Sequence, residues 1–161
     1  MKNIKAVLFD LDDTLFPFLK IEKPIKNVKL TIQKIKKSGY KVGVVSNCDS
    51  HEASEKINVL GINNFVDIVI TPKTPYEKKP MRKMFFRAIK KLNVKPCQVL
   101  FVGDKLIEDI WSAKLFGMKT ILIEKKLRIY HKMIFKFKSI LGPDFVVNDL
   151  SKVLNILKVR Q

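Results

Sequence analysis

Apolar and polar positions follow two rhythms along the chain. Five short runs, IKAVLFD (4–10), YKVGVVSN (40–47), FVDIVI (65–70), QVLFVGD (98–104) and KTILIE (119–124), are nearly continuous in aliphatic and aromatic residues. Runs of this length with no polar face read as strands covered on both sides. Between them the apolar residues recur every three or four positions. Ile25, Val28, Ile32 and Ile35 share one helical face across 25–38, behind Pro24 and before Gly39. Met81, Met84, Phe85, Ala88, Ile89 and Leu92 do the same across 80–92, behind Pro80. Further helices are expected near 51–60, 106–116 and 149–158. Alternation of this kind predicts an α/β fold: a single doubly wound, Rossmann-like domain with a central parallel sheet of about five strands and helices on both faces. No repeat, low-complexity tract or interdomain linker divides the 161 residues.

In such sheets a ligand sits beyond the carboxyl ends of the strands. The first predicted strand ends in Asp10, with Asp12 and Asp13 close behind; the second ends in Ser46-Asn47 and the fourth in Gly103-Asp104. Six of the fifteen acidic residues fall in two short segments, Asp10, Asp12 and Asp13, then Asp104, Glu108 and Asp109. Crowded carboxylates repel and raise one another's pKa unless a cation neutralises them. A hard divalent ion with oxygen ligands suits them, and Mg²⁺ needs only one or two carboxylates besides waters and substrate phosphate. Either cluster alone would read equally well as a helix cap or a turn. Two of them at the ends of neighbouring strands favour a site.

The order DLDDT (10–14), Ser46 closing an apolar strand, Lys79-Pro80 opening a helix, and GDKLIED (103–109) resembles the four motifs of haloacid dehalogenase-superfamily phosphatases. The resemblance reaches to about residue 124 and implies the strand order 5-4-1-2-3. It implies Asp10 as nucleophile, forming an aspartyl-phosphate, and Asp12 as the general acid that later activates water. Ser46 and the backbone at Asn47 would bind the transferring phosphoryl group, and Lys79 would neutralise charge shared by nucleophile and phosphate. Mg²⁺ would be held by Asp10, Asp12 (through its backbone carbonyl) and Asp104. Thr14 would pin the turn, and Asp109 would hold a metal-bound water or Lys79. Lys78 stands beside Lys79, but the family lysine directly precedes the proline. Glu108 offers itself as a substitute for Asp109, and Lys105 adds a cation beside the metal position. Asp12 is the discriminating residue, because an alkoxide leaving group must be protonated whereas dehalogenases and P-type ATPases lack this acid. The resemblance therefore implies a Mg²⁺-dependent phosphomonoesterase. His51 reads as a helix-start residue, and Cys48 as incidental.

Relatives often carry a cap domain. Here 35 residues separate Asp10 from Ser46 and 32 separate Ser46 from Lys79, room for a flap near 16–23, a helix and a strand, but not for a large cap. Phe16, Phe18 and Leu19 of that flap would either close over the site or pack into the core. An open site suits a large phosphorylated substrate or a neighbouring subunit as lid.

Composition adds a second theme. Lys and Arg number 32 against 15 Asp and Glu, a net charge of +17. That balance invites an anionic partner: nucleic acid, an acidic membrane surface or a phosphorylated substrate. Lys outnumbers Arg 28 to 4, however, and forked phosphate or base contacts favour Arg, so a solvated surface explains the charge as well. The segment KKLRIYHKMIFKFKSILG (125–142) reads as a basic amphipathic helix, either packed on the core or laid on a membrane or partner. The short, capless layout and the Lys-Pro motif at 79–80 resemble the phosphatidylglycerophosphate phosphatase-type subfamily, whose work at a membrane surface such a helix would suit, which makes a lipid head-group phosphatase the specific alternative. A non-catalytic nucleic-acid- or protein-binding module on the same fold is the alternative from another class. Apolar runs fall far short of the ~20 residues that span a bilayer, and MKNIKAVLFD lacks a cleavage pattern, so the expected location is the cytoplasm, with peripheral membrane association as its extension. Cys48 and Cys97 lack any paired spacing and are expected as reduced thiols.

Overall fold

A computed structural model describes residues 3–17, 25–124 and 142–159. Six parallel strands form one sheet: β1 (Ala6–Phe9), β2 (Lys41–Val45), β3 (Ile68–Ile70), β4 (Val99–Gly103), β5 (Lys119–Ile123) and β6 (Phe145–Val147). Their order is β3-β2-β1-β4-β5-β6, the expected order extended by a sixth strand. β1 is central, Ala6 lying opposite Lys41 on one side and Val99 on the other.

Period-two alternation sorts the strand side chains between two cores. Val7, Phe9, Val42, Val44, Leu100 and Val102 face one layer, with Val28, Ile32 and Ile35 of α1 (Val28–Lys37) and Ala53 and Ile57 of α2 (Ser50–Leu60). Ala6, Leu8, Val99 and Phe101 face the other, with Met84, Phe85, Ala88 and Leu92 of α3 (Lys83–Leu92). Both faces are apolar and covered, which is why the strands lack a polar stripe.

Local chemistry sets the boundaries. Asp49 caps α2, its carboxylate accepting the N–H groups of His51 and Glu52, both at 2.9 Å. His51 lies in that first turn, exposed, 3.8 Å from Glu55. α3 begins three residues after Pro80, which follows a cis Lys79–Pro80 bond. The helix expected over 106–116 is in fact a π-turn, Leu106–Trp111, running into a short α4 (Ser112–Leu115). The last helix, α5 (Lys152–Leu157), packs near α1.

β6 was not legible as a strand, being three residues long with Phe145 39% and Val146 49% exposed. A part-buried polar staple helps hold it: Asp144 accepts Thr120 N–H at 2.9 Å and Thr120 Oγ1 at 3.1 Å, with Lys119 at 3.2 Å and Lys114 at 3.3 Å. Phe18, Leu19 and most of the flap, like residues 125–141 of the basic segment, lie outside the described residues. Phe16 is described, and it packs against the main core.

Candidate active site

The carboxyl ends of β2, β1 and β4 are adjacent, so whatever follows those strands converges. Asp10 follows β1, its N–H donating to Val102 O at 2.9 Å, and Ser46 follows β2, its N–H donating to Ile70 O at 3.1 Å. Both residues thus extend the sheet's ladder by one step, which fixes their side chains at its rim. After Asp10 the chain reverses through a tight turn: Asp13 adopts φ 61°, and its N–H donates to Phe16 O at 2.7 Å. That turn is held by backbone bonds; among the described residues the buried Thr14 hydroxyl finds no partner.

Asp10, Asp104 and Asp109 each offer a carboxylate oxygen, and these oxygens lie within 4.8 Å of one another. Lys79 enters from the loop before α3. Its ammonium donates to Asp10 Oδ1 and, at 2.6 Å, to Asp109 Oδ1. Lys79 is 4% exposed, Asp10 5% and Asp109 0%, whereas Lys78 is exposed. Lys79, not Lys78, is therefore the lysine at Asp10. Burial, and after it the charge of Asp109, push the Asp10 carboxyl up to about 7 against the pull of Lys79. Burial alone would draw the Lys79 ammonium down, yet Asp10 and Asp109 hold it above the ordinary lysine range.

Asp109 is fixed twice over, its second oxygen accepting Lys105 N–H at 3.0 Å. It can stand so close to the end of β4 only because residue 103 is glycine: a Cβ there would come within 2.6 Å of the Asp109 side chain. With both Asp109 oxygens engaged, Asp10 and Asp104 are the carboxylates better placed to hold a cation. An all-oxygen, carboxylate-rich set around one buried ammonium fits a small hard divalent ion.

Asp12 sits apart from this group. Its carboxylate accepts from Lys56 on α2, and the same ammonium bonds Glu52 at 2.6 Å and lies 5.8 Å from the Phe16 ring centre. Sequence reasoning missed Lys56, although Glu52 and Lys56 stand four apart on one predicted helix face and announce an ion pair. Ser46 is fully buried, and its hydroxyl donates to Cys48 Sγ at 3.1 Å. Burial, outweighing the Ser46 bond, pushes the Cys48 thiol up. Asn47 aims its side chain at the backbone of Lys79 and at Glu108. Lys105 lies at the rim, 3.6 Å from Glu108. Burial pulls its ammonium down, but Glu108 and then Asp10, Asp104 and Asp109 raise it overall.

A model of the haloacid dehalogenase-like hydrolases matches residues 18–123. The chain is 31% identical over 157 residues to glyceraldehyde 3-phosphate phosphatase of Pyrococcus furiosus, covering 98% of this chain and 62% of that protein. It is 33% identical over 124 residues to the Methanopyrus kandleri protein of the same name, covering 77% of this chain and 52% of the relative. The chain thus spans between half and two thirds of the length of these relatives. Among solved structures, a HAD phosphatase from Thermococcus onnurineus superposes with a TM-score of 0.81 at 20% identity, covering 98% of this chain and 99% of the other.

Proposed function

The chain belongs to the haloacid dehalogenase-like hydrolases, and from that membership we propose that it hydrolyses phosphate monoesters through Asp10. The observation that carries this reading is the buried Asp10 carboxylate at the end of the central strand, paired with Lys79 and facing Asp104 and Asp109 within 4.8 Å. Phosphoryl transfer demands little beyond positioning and charge stabilisation, and this arrangement offers both.

Asp10 attacks phosphorus as the bond to the leaving oxygen breaks, giving an aspartyl-phosphate. Asp12, two residues on, gives its proton to the leaving oxygen. It then takes one from the water that attacks phosphorus, and Asp10 is restored with release of inorganic phosphate. Ser46 and the backbone N–H of Asn47 bind the phosphoryl oxygens. Lys79 balances the charge that Asp10 and the phosphoryl group share. A bound Mg²⁺ would supply the remaining charge neutralisation and orient the phosphate, held by Asp10, the Asp12 carbonyl and Asp104. Asp109 keeps Lys79 in place, and its engaged oxygens make Glu108 unnecessary as a replacement. The two named relatives are phosphatases of a small sugar phosphate, which favours a small phosphorylated metabolite over a macromolecular substrate. The lipid head-group alternative draws on the short, capless layout and the Lys-Pro motif, and of the basic segment 125–142 that would suit it only Gly142 is described. No described helix is long and apolar enough to cross a membrane.

The test is hydrolysis of an aryl phosphate with and without Mg²⁺, by the wild type and by Asp10→Asn. The expected result is Mg²⁺-dependent turnover that the substitution lowers by roughly 10³-fold or more. Turnover that survives Asp10→Asn would sink the mechanism.

A further inference from the structure

We propose that Asn47 is a positioning residue for the Lys79 ammonium, acting through the lysine's own backbone; this rests on reading the site as a phosphoryl-transfer centre. The Lys79 N–H donates to Asn47 Oδ1 at 2.7 Å, and Asn47 Nδ2 donates to the Lys79 carbonyl at 3.1 Å. One side-chain amide therefore exchanges two hydrogen bonds with one residue's peptide groups, as a neighbouring antiparallel strand would. The same Nδ2 donates to Glu108 Oε2 at 3.1 Å. Three loops, those following β2 and β4 and the one leading into α3, meet on this amide.

The need for such a clamp follows from what surrounds it. Lys79 lies between a short 3₁₀ turn (Pro75–Glu77) and α3, where no regular element fixes the backbone. Its four-carbon stem has many rotamers, and its ammonium must reach both Asp10 and Asp109. Anchoring the head between two carboxylates leaves the root to be anchored elsewhere, and Asn47 does that. A shift of ~1 Å at a positioning group can cost ~10²-fold in rate. Asn47 also follows Ser46 directly, so one residue sets the phosphoryl-binding backbone and the lysine's root at a fixed separation.

The test is a double-mutant cycle on binding of inorganic vanadate, a mimic of the pentacoordinate phosphoryl group, in Mg²⁺ buffer. Wild type, Asn47→Ala, Lys79→Ala and the double variant are compared by calorimetry, beside kcat and KM for an aryl phosphate. Asn47→Ala should weaken vanadate about tenfold and lower kcat more than it raises KM. In the Lys79→Ala background it should change binding less than twofold, since no ammonium remains to be placed. If the two losses multiply, Asn47 holds the oxyanion on its own account, and the proposal falls. It falls equally if folded Asn47→Ala binds and turns over within twofold of wild type. Should that variant fail to fold, the near-isosteric and uncharged Asn47→Leu carries the same cycle, because it removes both the donor and the acceptor without adding charge. A wild type that neither hydrolyses an aryl phosphate nor binds vanadate overturns the phosphatase reading first. An active wild type with an additive cycle overturns the positioning role alone.

Discussion

Lys79 stands buried between Asp10 and Asp109, so taking away its charge strands two carboxylates out of water. Breaking a buried pair from one side costs about 3–5 kcal/mol, and Lys79→Met should unfold at correspondingly lower denaturant. Turnover should drop by about 10²–10³-fold, the usual loss when one stabilising charge leaves a reacting centre. Mg²⁺ should restore part of the stability and little of the rate, because the ion relieves carboxylate repulsion without occupying the lysine's place. Denaturation curves and initial rates for the same variant check both halves. Lys79 stands out over Lys78 through the family resemblance, whose lysine directly precedes a proline. Lys56 could not be assigned to Asp12, since a contact between residues 44 apart leaves no trace in local pattern.

The element that places Asp109 is the π-turn after β4, and its seat depends on Gly103. Gly103→Ala would press a methyl group onto the Asp109 side chain at 2.6 Å. Overpacking of this kind costs about 1–3 kcal/mol, and the displaced carboxylate should also release Lys79, lowering kcat at least tenfold. A crystal structure of the variant with Asp109 unmoved would contradict this. Period alone indicated a helix over 106–116 but could not distinguish a π-turn from an α-helix, because both bury Ile110 and Ala113. β6 is the converse case, held in part by Asp144 rather than by an apolar run. Burial opposes ionisation of Asp144, yet the Thr120 N–H, helped by Lys119, Lys114 and the Thr120 hydroxyl, holds the carboxyl below its usual range. A carboxyl lowered on folding stabilises the protein above its unfolded pKa, and that contribution fades as pH falls through the folded value. The wild type should therefore lose this increment below about pH 4. Asp144→Asn should be less stable at neutral pH by about 1 kcal/mol, and the difference should narrow as pH falls below the ordinary carboxylate value. Urea melts at pH 7 and pH 3 decide it.

Across the whole molecule, the sheet order brings Asp10, Ser46 and Asp104 together from strands separated by dozens of residues. A divalent ion that binds only this assembled rim must stabilise the fold by mass action. Mg²⁺ at about 100 times its Kd should add roughly 2.7 kcal/mol and raise Tm accordingly. Asp104→Asn should blunt that shift, and Asp109→Asn, which loosens Lys79, should blunt it less. Equal shifts in all three proteins would place the ion elsewhere. The strand order comes with the family resemblance rather than from the pattern of the chain, and β6 extends it at one edge.

The central place of β1 has a consequence for how the protein comes into being. Ala6–Phe9 pairs with β2 early in the chain, but its other neighbour, β4, ends at residue 103. During synthesis, one flank of an apolar strand stays open until residue 103 has emerged, and parallel pairing over such separations is slow. Asp109, which follows β4, reaches Lys79 only after that closure. Recovery of turnover on dilution from denaturant should therefore trail the recovery of helical circular dichroism, and a chaperone that shields β1 should raise the yield.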